Sequence, residues 1–218
     1  MHLSFPALNN TQPTSSIIPA FLSRSFILGV LIFTAYLVTA GIGLSIRPVN
    51  TFATLIWPPS GIALAALMLY GRRYWPAVAL AACAANVMIG APFLAALGIA
   101  AGNTLGPLLG SMVLKEYIGF VPHAVRLRDN LGIIGVAFAA PVLSASFGVA
   151  SLWLTGVIGG NAASATWGIW WLGDALGILV CAPFLIRTVC RAGTRRTSVI
   201  HRNDVNNFPY ILGRRGGT

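Results

Sequence analysis

Long apolar runs separated by short polar or basic stretches dominate the chain after its first 25 residues. The first run, 26–46, is too long for the roughly 7–15 residues of a signal-peptide core and matches the roughly 20 residues that cross a bilayer. It reads as an uncleaved first helix. Further runs cover 51–70, 74–90, 93–114, 131–152 and 165–186. The pattern predicts an all-α fold, a polytopic transmembrane helix bundle of about six helices. It divides the chain into a polar N-terminal segment at 1–25, a transmembrane domain at 26–187 and a basic, disordered cytoplasmic tail at 188–218.

Orientation follows from the basic residues, which collect in short loops on the cytoplasmic side. Arg24, Arg72, Arg73, Lys115, Arg126, Arg128, Arg187, Arg191, Arg195 and Arg196 fall at one set of helix ends, and Arg47 alone at the other. Both termini are therefore expected to be cytoplasmic.

Composition narrows the function classes. The 218 residues are 56% apolar and 8% charged, with a mean hydropathy of +0.80, far from the roughly 25% charged residues of globular proteins. The net charge of +10 is spread between apolar blocks and over the tail, without aromatic residues interleaved along a polar face, so no nucleic-acid partner is expected. Cys83, Cys181 and Cys190 share no metal-ligand spacing and read as packing residues. His2, His123 and His201 lie outside the spans, and no phosphate-cradling GxxxxGK[ST] loop is present. No catalytic residue, metal or cofactor is expected, and the chain by itself does not read as an enzyme.

Polar groups inside the spans are the candidates for function, because a charge in the bilayer is costly and needs a partner. Asp174 lies about nine residues into the sixth run, roughly 13 Å below its outer end. Asn103 falls at roughly 15 Å, Trp57 at about 9 Å, and Asn86 and Ser146 at about 6–8 Å, while Arg47 marks the outer end of helix one. The shared depth predicts a cavity in the outer half of the bundle, with Asp174 coupled to Asn103 or to Arg47. A single interhelical hydrogen bond is the competing reading for each Asn or Ser taken alone.

Proline adds to this picture. Pro107 frees the carbonyl of Asn103, and Pro58 with Pro59 makes the start of helix two extended or kinked. Trp167, Trp171 and Asp174 share a helical face, where indole rings can hold a cation or an apolar ligand beside the carboxylate. Gly98, Gly102, Gly106 and Gly110 recur every four residues, a face for close packing within the bundle or, alternatively, for a homodimer.

Four segments, WPPSGIALAALMLYGRRYWP at 57–76, GNTLGPLLG at 102–110, RLRDNLG at 126–132 and WWLGDALGILVCAPFLI at 170–186, together resemble the membrane-associated sensor domain of the first MASE type. The resemblance covers about 27–186. It implies a multi-pass sensory module of the bacterial inner membrane, ahead of a histidine kinase, diguanylate cyclase or phosphodiesterase output. It also places Trp57, Pro58, Pro59, Ser60, Gly61, Asn103, Trp170, Trp171, Gly173 and Asp174 on the family's motif positions. The expected ligand-binding set is Trp57, Pro58, Ser60, Asn86, Asn103, Trp170, Trp171 and Asp174.

The function expected is a sensory domain that binds an unidentified small-molecule ligand within the lipid bilayer and reports to a membrane or cytoplasmic signalling partner. Family members usually carry about eight helices and an output domain. The chain is accordingly expected to be a stand-alone sensor or a truncated form. The alternatives are a six-helix substrate-binding subunit of a transporter and a remnant without activity.

Overall fold

The computed structural model describes residues 20–45, 55–121 and 126–206, and every structural statement below concerns them. They form six α-helices: α1 (Ala20–Ser45), α2 (Pro58–Tyr70), α3 (Trp75–Met88), α4 (Phe93–Met112), α5 (Leu127–Leu154) and α6 (Gly160–Asn206). A single 3-10 turn, Arg72–Tyr74, leads into α3, and α4 runs on as a π-helical turn, Val113–Tyr117. No strand occurs among the described residues. Four segments, Arg24–Ser45, Phe93–Tyr117, Leu127–Leu154 and Gly160–Ala192, are long and apolar enough to cross a membrane. The all-α, multi-pass reading holds.

Two helices are shorter than the sequence suggests. α2 has 13 residues and α3 has 14, or roughly 20 Å each against a hydrocarbon core of about 30 Å. The expected start of helix two at residue 51 is corrected: Leu55 to Trp57 are not helical, and the first turn opens with Pro58 and Pro59. Proline fits the first turn, where its missing N–H costs no hydrogen bond, whereas in a helix interior it removes one. The proline pair thus fixes the start of α2 deep in the bundle. At the other end of the chain, α6 does not stop at Ile186 but continues helical through Asn206. Its polar residues change the solvent it meets, not its backbone preference, since arginine is a good helix former. Arg47, the candidate partner of Asp174, and His2 and His123 lie outside the described residues.

Lipid is as apolar as leucine, so these helices are held together by close packing and internal hydrogen bonds rather than by withdrawal from water. Phe26, Leu80 and Phe184 accordingly stay exposed on the outer surface. The interior is built from small residues. On α4 a Cβ added at Gly102 would meet the Phe147 Cβ at 2.7 Å, one at Gly106 the Ala140 carbonyl oxygen at 2.7 Å, and one at Gly110 the Val136 Cγ1 at 2.6 Å. The glycine ladder therefore seats α5, and the close-packing reading of that face is the one realised. α2 and α6 touch at backbone level: a Cβ on Gly61 would strike the Gly177 carbonyl, and one on Gly177 would overlap the Trp57 carbonyl oxygen.

Candidate functional site at the bundle centre

The late start of α2, at Pro58, places its N-terminus against the middle of α6. The Trp57 N–H donates to the Gly173 carbonyl at 2.9 Å, tying the non-helical residue before α2 to α6. At the next residue of α6, Asp174 meets the first turn of α2. The Ser60 hydroxyl donates to Asp174 Oδ1 at 2.5 Å. A helix N-terminus carries partial positive charge, so α2 offers both a donor and a favourable field to this carboxyl group. Without the Pro58–Pro59 break the chain would carry its helix past this point, and Asp174 would face side chains only.

A second polar pair lies beside the first. The Ser144 hydroxyl of α5 donates to Asn103 Oδ1 of α4 at 2.5 Å, and the Trp170 Nε1–H of α6 donates to Ser144 Oγ at 3.2 Å. The Asp174 carboxyl group lies within interaction range of Ser144 and Trp170 as well as Ser60. Tyr36 of α1 completes the ring, its hydroxyl facing Trp57 and Asn103, with Asp174 within electrostatic reach. Five helices thus contribute to one polar centre.

That centre is sealed and incompletely satisfied. Asp174 is 1% exposed, Asn103 2% and Tyr36 0%. Among the described residues, six buried side-chain polar atoms lack a hydrogen-bond partner: both Asp129 carboxyl oxygens at the start of α5 and, in this centre, Tyr36 Oη, Trp57 Nε1, Asn103 Nδ2 and Asp174 Oδ2. An unpaired buried polar group costs about 1–3 kcal/mol, and such groups in a folded protein call for an explanation. Here they are neighbours: the side chains of Trp57 and Asn103 face the Tyr36 hydroxyl, and the Asp174 carboxyl group lies within electrostatic reach of that hydroxyl.

The structure brings together Trp57, Ser60, Asn103, Trp170 and Asp174 of the expected set, with Pro58 setting the start of α2. Asn86 is buried but donates to the Ala82 carbonyl of its own helix at 2.9 Å. Trp171 points away from Asp174: its Nε1–H donates to the Phe138 carbonyl at 2.9 Å, and its ring stacks on Trp167 at 6.3 Å. The Trp167 indole in turn donates to Ser146 on the exposed side of α5. The inward tryptophan is Trp170, one turn before Asp174, in place of the face shared by Trp167 and Trp171. Tyr36 and Ser144 are the residues that sequence reasoning missed. Tyr36 sits about ten residues into the first apolar run, a depth that could have flagged it. Ser144 and Ser146 are two residues apart, hence about 200° apart around the helix, and depth alone cannot choose between them.

Two grooves lie away from this centre. One, of about 410 Å³, runs between α4 and α5 beside Ile118 and Leu131; the other, of about 370 Å³, separates α1 from α3. No group of three or more metal-ligating side chains occurs among the described residues. At the basic end of the bundle, Arg72 pairs with Glu116 at 2.9 Å, Arg128 donates to the Tyr117 carbonyl, and Arg187 of α6 donates to Asn130 of α5 at 2.9 Å.

No curated protein and no solved structure matches the chain significantly. A family model does: that of MASE1, over residues 28–197, which takes in α2 to α5 entire and most of α1 and α6. A match across that much of the sequence means that the chain belongs to the MASE1 family of membrane-associated sensor domains.

Proposed function

We propose that this sensory membrane domain uses the polar centre of Tyr36, Trp57, Ser60, Asn103, Ser144, Trp170 and Asp174 as its sensing site, binding a small polar ligand there and reporting occupancy to a cytoplasmic output. The observation that supports this most is that four buried polar atoms of one cluster, Tyr36 Oη, Trp57 Nε1, Asn103 Nδ2 and Asp174 Oδ2, lack a hydrogen-bond partner. Structural glue alone closes its hydrogen bonds; a ligand site leaves some for the ligand. In this reading the domain occupies 26–187 in a bacterial inner membrane, with both termini cytoplasmic and the segment from residue 188 leading to the output. The output is a kinase or a cyclic-di-nucleotide enzyme.

Transmission runs along α4 and α6. A ligand shifts a conformational balance only by its differential affinity, typically about 1–3 kcal/mol of coupling. Pro107 removes the N–H that the Asn103 carbonyl would otherwise accept from, so α4 is weakest one turn below the site. α6 carries Asp174 and Trp170 and runs directly into the basic segment.

The test is to graft residues 1–197 onto a diguanylate cyclase and measure cyclase output in membranes. Asp174→Asn is expected to insert normally and to change output severalfold. Pro107→Ala is expected to blunt that difference while leaving insertion intact. Unchanged output in the Asp174 variant would remove the polar centre from the sensing role. Reporter fusions test the orientation separately. Those after Val49, Gly90 and Gly160 should report the outside, and those after Gly71 and Val121 the cytoplasm; an internal signal after Gly160 would overturn the topology.

A further inference from the structure

The groove between α1 and α3 combines an apolar wall with a cationic end. Its wall includes Phe26, Val30, Phe33 and Leu80, of which Phe26 is 73% and Leu80 64% exposed. Its end is formed by Ser25 and Arg73. From Ser25 to Phe33 the α1 side of the groove extends about 12 Å along the helix axis.

Arg73 is held in place rather than loose. Its guanidinium carbon lies 5.0 Å from the centroid of the Tyr74 ring, and Nη2 donates to the Tyr74 hydroxyl at 3.3 Å. Tyr74 is itself buried, so the guanidinium is anchored to a fixed platform. The neighbouring charges favour an anion. Glu116 is paired with Arg72, and Arg24, exposed on α1, adds a second positive charge next to Ser25.

We propose that this groove binds an anionic phospholipid, the phosphate on Arg73 and Ser25 and one acyl chain along Phe26, Val30 and Leu80. Guanidinium groups take phosphate oxygens in pairs, and an aliphatic chain fits the exposed apolar wall where a soluble anion gains nothing. The groove shares no lining residue with the polar centre. Its location at the basic end of the bundle matches the leaflet in which anionic lipid attracts arginine.

The test uses the purified, delipidated full chain, with retained lipid counted by native mass spectrometry after exposure to phosphatidylglycerol and phosphatidylcholine of the same acyl length. The wild-type chain is expected to retain phosphatidylglycerol about fivefold better. Arg73→Ala should erase the preference, and Arg191→Ala, remote from the groove, should keep it. Leu80→Trp, which fills the exposed wall without touching the charge, should weaken retention of phosphatidylglycerol. Equal retention of both lipids by the wild-type chain would overturn the proposal. So would displacement of phosphatidylglycerol by millimolar inorganic phosphate, because the acyl chain would then contribute nothing.

Discussion

Gly177→Ala is expected to destabilise the folded bundle by about 3 kcal/mol, the upper end of the range for forcing atoms into a packed interior. The added methyl group would overlap the Trp57 carbonyl oxygen and crowd Pro58 N. Neither neighbour can yield, because both are backbone, and the Trp57 N–H is already bonded to Gly173. α6 would have to move away from α2, opening the Ser60 to Asp174 hydrogen bond with it. Gly168, on the same helix, has nothing within 4 Å of an added Cβ. Gly168→Ala should therefore be neutral or gain up to about 1 kcal/mol from better helix propensity. Thermal melting in detergent, followed by tryptophan fluorescence, separates the two. Equal melting temperatures would mean that α2 and α6 do not approach as closely as described.

The second large effect is functional. Asp174→Asn retains an oxygen that accepts from Ser60, so the bundle should keep its stability to within about 1 kcal/mol. It removes the only carboxyl group of the polar centre, and the output of the grafted cyclase should change severalfold. Asp174→Leu differs: it leaves the Ser60 hydroxyl without an acceptor and should cost about 1–3 kcal/mol of stability as well. Asp174 and Asn103 share Ser144 and Trp170 as neighbours, so Asp174→Asn and Asn103→Ala should be non-additive by about 0.5–3 kcal/mol in a double-mutant cycle. Additive changes with unaltered output would mark the cluster as interhelical glue.

The sequence carries the number of helices, their class and most of the polar centre, because each rests on a strong local signal. An apolar run of about 20 residues has few other fates, and a carboxylate inside one is too costly to be incidental. The bounds of α2 were less legible. Hydropathy continues smoothly through residues 51–57, whereas the backbone obeys Pro58 and Pro59. The choice of Trp170 over Trp171 was illegible for a different reason. The two differ by about 100° around α6, and which one turns inward is set by where α5 lies, a tertiary fact with no local trace. Tyr36 was hidden by its company: α1 is otherwise a featureless apolar helix, and a lone tyrosine within it resembles packing.

The length of α6 has a mechanical consequence. Its 47 residues span about 70 Å, more than twice the hydrocarbon core. Pro183 interrupts its hydrogen-bond ladder between Asp174 and the polar extension, and makes a joint in what is otherwise a stiff lever. From Pro183 to Asn206 the arm is about 35 Å long, so a swing of about 10° at the joint carries its far end through about 6 Å. Asp174 lies about 13 Å from the joint, so a displacement of about 1 Å there reaches the far end as about 2.6 Å, by leverage alone.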